Sequence, residues 1–174
     1  MEIEKITGKG EYLYTRTFES MGKGLLSIRV DNIQKVQSPY HYLFDNGKKP
    51  PFDIAINPIT KRICYFKFFL QDEKLEANKQ SFDYESTFGE PVFSIEPFNE
   101  NKSYISNHVE FESFFNNGNL IIVRKECYPQ KAINISTDIK LLISNENNFA
   151  GVVFELLSEK DIFELQESEV IEKL

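Results

Sequence analysis

The side chains able to do chemistry in this chain are mostly carboxylates. His41 and His108 are the two histidines, and neither stands in the His-x-His or His-x-x-x-His spacing that brings two imidazoles to one metal. Cys64 and Cys127 are too few for a disulfide framework or a thiolate cage. Cys64 sits in the run Arg62-Ile63-Cys64-Tyr65-Phe66, which predicts a buried, reduced thiol. The glycines are scattered and form no phosphate-binding loop, dinucleotide fingerprint or nucleophile elbow. No cofactor is expected from these residues.

The acids are concentrated at the end of the chain. From Glu155 to Leu174 there are seven, Glu155, Glu159, Asp161, Glu164, Glu167, Glu169 and Glu172, against Lys160 and Lys173, so −5 of the total charge of −7 lies here. On a helix such a run is either a solvated face or a docking surface, since complementary charge raises association rates by roughly 10–1000-fold. The docking reading selects Glu159, Glu164, Glu167 and Glu169 as partner-binding residues. A second acidic feature is Glu110-Phe111-Glu112. Strand parity puts its two carboxylates on one face about 7 Å apart, a spacing that a carboxylate-dependent hydrolase could use together with Asp53 or Asp138. His41, between Tyr40 and Tyr42, is expected to be a satisfied or surface histidine rather than a general base.

The elements that position these groups are legible mostly as strands, because apolar residues alternate with polar ones and stop at turn residues. Tyr12, Tyr14 and Phe18 share a parity around Arg16; Leu26, Ile28 and Val30 alternate up to an expected turn at Asp31-Asn32. Tyr40, Tyr42 and Phe44 lead to Asp45-Asn46-Gly47. Phe52 to Leu70 reads as a hairpin turning at Asn57-Pro58-Ile59-Thr60, its second strand central because it is apolar on both faces apart from Lys67. Gln71 to Gln80 suits a short helix and Ser81 to Pro91 a linker. A second hairpin turns at Asn116 to Asn119, followed by strands at Ile133, at Ile139 to Ile143 and at Ala150 to Leu157. Ser158, with Asp161 three residues on, predicts a capped C-terminal helix.

The two halves share a cadence. Leu26 to Asn32 resembles Phe111 to Asn117, and Asp53-Ile54 resembles Asp138-Ile139, both at a displacement of 85 residues. The expected fold is therefore α+β: mainly antiparallel sheet with a C-terminal helix, in one domain over 1–174 built from similar ββ-ββα halves, 1–87 and 88–174. The charge argues against gripping nucleic acid, and no apolar run is long enough to span a membrane. A charged N-terminus without an apolar core suggests the cytoplasm, and Asn-, Lys-, Ile- and Phe-rich usage suggests a bacterial source. The functional expectation is a non-catalytic protein-binding protein with a basic partner, such as an immunity-type inhibitor of a toxin domain. The alternatives are the carboxylate enzyme and an assembly subunit that pairs with copies of itself through exposed strands.

Overall fold

The computed structural model describes residues 1–8, 13–34, 36–75 and 82–171. These form fourteen strands and one α-helix: β1 Ile3–Thr7, β2 Tyr14–Ser20, β3 Leu25–Asn32, β4 Tyr40–Asp45, β5 Phe52–Ile56, β6 Ile63–Gln71, β7 Glu85–Phe88, β8 Glu90–Phe93, β9 Tyr104–His108, β10 Phe111–Asn116, β11 Asn119–Arg124, β12 Lys131–Asn134, β13 Ile139–Ile143, β14 Phe149–Phe154 and α1 Glu159–Glu167. The protein is α+β and mainly antiparallel.

Two six-stranded sheets carry the fold. Sheet I runs β2-β3-β6-β5-β4-β9 and sheet II runs β10-β11-β14-β13-β12-β7, while β1 and β8 pair in a small third sheet. In each large sheet five chain-consecutive strands (once β1 and β7 to β9 are set aside) take the same order. A sixth is then added in parallel: β9 beside β4, and β7 beside β12. Position in the sheet makes β3 the counterpart of β11, not of β10. The resemblance of Leu26–Asn32 to Phe111–Asn117 therefore joins a second strand to a first strand, whereas Asp53-Ile54 and Asp138-Ile139 do stand at equivalent places, at or just before β5 and β13.

The apolar parity of each strand explains the core. Ile28 and Val30, Phe66 and Phe68, Ile54 and Ile56 from sheet I meet Leu120 and Ile122, Leu141, Val152 and Phe154 from sheet II, all essentially removed from solvent. Rings cross the interface: Phe18 lies edge-on to Phe154 at 5.4 Å, and Phe52 touches Phe111 at 5.2 Å and Phe149 at 5.6 Å. Phe111 is only half-buried, because β10 is an edge strand. The outer face of sheet II is also apolar, with Val123, Ala132, Leu142, Ala150 and Val153 covered by Phe82, Tyr84 and Phe114.

Both expected hairpins are present, with β6 central as its two apolar faces require. Three expectations need correction. Asp31 and Asn32 are the last residues of β3, held there by pairing with Thr15 and Tyr14. Ser81 to Pro91 is no simple linker, since it contains β7 and the start of β8; the stretch lacks alternation because β7 is exposed at all four positions. Gln71 ends β6 and residues 72–75 are not helical, while 76–80 lie outside the described residues. At the C-terminus the capping box forms as expected: Ser158 accepts from the Asp161 N–H, and Asp161 accepts from the Ser158 N–H at 2.9 Å. Among the described residues no helix is long and apolar enough to cross a membrane.

Candidate protein-binding face

The charges of the acidic run mostly meet partners within the fold. Arg16 points inward from β2, its side chain 8% exposed, and donates to the carbonyls of Asp138, Glu155 and Leu156 at 3.2, 2.6 and 2.8 Å. It also pairs with the carboxylates of Asp138 and Asp161 at 3.1 and 3.0 Å. One guanidinium thus fastens the edge of sheet I to β13, to the end of β14 and to the first turn of α1. Glu155 pairs with Lys140 at 2.6 Å. Of the four expected docking acids, Glu164 is half-buried and accepts the Ser20 N–H at 2.7 Å, and Glu169 pairs with Lys23 at 3.0 Å. Glu159 and Glu167 are exposed on α1. Glu172 lies outside the described residues.

The carboxylates of the enzymatic alternative are dispersed. Glu110 is held by Lys125 at 3.3 Å and Lys48 at 3.7 Å, which keep its carboxyl below the usual range. Glu112 is exposed, Asp138 belongs to the Arg16 clasp, and Asp53 lies on the outer face of sheet I. Among the described residues no group of three or more His, Cys, Asp or Glu is placed to hold a metal.

That outer face holds a connected set of polar and aromatic side chains. Cross-strand register aligns Asp31, Tyr65, Ala55, His41 and Tyr104 in one row, and Arg29, Lys67, Asp53, Leu43 and Ser106 in the next. Opposite parity sends Ile28, Phe66, Ile54 and Tyr42 into the core, so both rows must face outward. Arg29 forms two parallel 2.7 Å bonds with Asp31, and its guanidinium carbon lies 4.3 Å from the Tyr65 ring centre. The Tyr65 hydroxyl donates to Asp53 Oδ2 at 3.2 Å, and His41 Nδ1 meets Asp53 Oδ1 at 2.8 Å. An ionised carboxylate only accepts, so Nδ1 bears the hydrogen. The His41 ring stacks on Tyr104 at 4.8 Å, and Tyr104 is 58% exposed.

The chain of contacts Asp31–Arg29–Tyr65–Asp53–His41–Tyr104 spans β3, β6, β5, β4 and β9. Burial, with the Asp53 charge second, pushes the Tyr65 hydroxyl up to about 12. Asp53 fixes the orientation of the His41 ring, and among the described residues no hydroxyl or thiol is hydrogen-bonded to His41. His41 is satisfied, as expected. The sequence concealed this face because its members come from five strands, and Tyr104 lies on a parallel strand that no local pattern pairs with β4. No protein-family model matches the chain, and no curated protein is similar enough to count as a relative.

Proposed function

We propose that this chain is a non-catalytic protein-binding protein that captures a basic partner in the bacterial cytoplasm, in the manner of a toxin-neutralising immunity protein. The outer face of sheet I is the contact surface. The observation that carries the reading is the set Arg29, Tyr65, His41 and Tyr104, held in fixed orientation by Asp31 and Asp53 across five strands. Tyr and Arg are the side chains that dominate binding energy at interfaces, and holding them rigid in the free protein removes an ordering cost from association. The total charge of −7 supplies long-range attraction for a basic partner.

Tagged wild-type protein and an Arg29→Glu/Tyr104→Ala variant, passed over the same native lysate, test the reading. A stoichiometric basic protein retained by the wild type and lost by an equally stable variant is the expected result. Equal retention by both would remove this face as the interface.

A further inference from the structure

A second surface, independent of that face, lies where the small sheet leaves sheet II. β7 is the last strand of sheet II, and the Glu85 and Gly89 N–H groups bond to the carbonyls of Gln130 and Asn134 on the β12 side. In a parallel ladder the alternate residues, Ser86 and Phe88, must therefore turn their N–H and C=O groups away from the sheet. β7 is short and begins with Glu85, but it contains no lysine, proline or bulge, and Phe88 is 53% exposed.

Beside this edge a cleft of about 360 Å³ separates β7 from β1. Ile3, Ile133 and Ile143 give it an apolar floor. It is closed at the β7–β8 corner, where a Cβ on Gly89 would stand 2.5 Å from Ile6 and 2.7 Å from the Thr7 carbonyl oxygen. On another side the Ile3 N–H is tied to Asn147 O at 2.9 Å. Four side chains on its wall are charged. Glu4 is neutralised by Lys61, while Lys5 and Lys131 have no acidic partner among the described residues and outnumber Glu85. The cleft is a locally cationic place on an anionic protein.

We propose that this cleft binds the carboxy-terminal end of an extended polypeptide from a partner protein. The edge of β7, unpaired among the described residues, suits an occupant with extended backbone, because only a strand presents alternating donors and acceptors at matching intervals. The floor takes an aliphatic side chain. The side tied by Ile3 and Asn147, where Lys131 reaches the Asn147 side chain, stops the chain, and Lys131 with Lys5 receives the terminal carboxylate, as charge-assisted contacts favour.

Fluorescence anisotropy with a labelled hexapeptide of alternating threonine and valine, ending in a free carboxylate, tests this directly, alongside the same peptide as its carboxamide. The expected result is saturable binding of the acid, at least ~10-fold weaker for the amide, which corresponds to about 1.4 kcal/mol. Lys5→Gln/Lys131→Gln should weaken the acid to the level of the amide. Ser86→Pro, which removes an N–H that points away from β12, should abolish binding of both at unchanged thermal midpoint. The lysine pair is on the surface, so it keeps the test valid if the proline variant fails to fold. Equal binding of acid and amide, or no binding of either, overturns the proposal. So does a concentration-dependent dimer that Ser86→Pro dissociates, which would assign the edge to a second copy of this chain.

Discussion

Arg16 shows how much of this structure depends on one side chain. It lies between Tyr14 and Phe18 at an apolar parity, yet carries a charge into the junction of both sheets and the helix. Removing it leaves Asp138, Asp161 and three carbonyls without their common donor. Arg16→Ala should therefore cost about 3–5 kcal/mol, the usual penalty for breaking a buried pair from one side. Denaturant unfolding measures it, and a loss under about 1 kcal/mol would mean the acids find other partners. Tyr42 and Tyr65 make a second prediction. Burial is the main cause holding both hydroxyls near 12, above the ordinary value of 10.0. The neutral phenol is favoured by folding, so its contribution is complete below pH 10 and is lost as pH rises toward 12. The thermal midpoint should fall across that window, and less steeply in Tyr65→Phe. Cys64 and Cys127 are both free, and burial pushes the Cys64 thiol to about 11. Native protein at neutral pH should accordingly react slowly at Cys64, while denatured protein without reductant should show two thiols.

At the scale of elements, local chemistry was readable where a signal and its effect lie close in sequence. Ser158 and Asp161 are three residues apart and their capping box forms, so Ser158→Ala should cost about 1 kcal/mol. The hairpin turns at Asn57 and Asn116 were equally plain. What escaped was non-local. β7 and β9 join their sheets in parallel, through partners 46 and 63 residues away at Lys131–Glu85 and His41–Tyr104, and a parallel pairing leaves no turn signature between its strands. The helix acids are a related case: their count was visible, but their partners on β2 and in the following turn were not. This separates them experimentally. Glu164→Lys should destabilise, since the Ser20 N–H loses its acceptor, whereas Glu159→Lys, which only opposes the helix dipole at an exposed end, should cost less than about 1 kcal/mol. Equal effects from the two substitutions would show that Glu164 is as solvent-facing as Glu159.

Two large sheets of equal strand order, each completed by a strand from the segment that links them, are sealed by an aromatic core and an arginine clasp, with the β1–β8 pair and α1 beside them. This architecture leaves the outer face of sheet I polar, aromatic and stiff, and places most of the C-terminal charge in contacts that serve the fold. Under the proposed function, the roles divide: net charge would set how fast a basic partner arrives, and the sheet face how tightly it stays. Titration calorimetry of the captured partner is the measurement that bears on this most directly. Tyr104→Ala should weaken binding by at least ~30-fold, about 2 kcal/mol, as expected of an interface anchor. Glu159→Lys/Glu167→Lys should change affinity by less than about threefold at physiological salt, where exposed charges are screened over ~8 Å. The reverse ranking, with the helix acids carrying the affinity and Tyr104 dispensable, would contradict it.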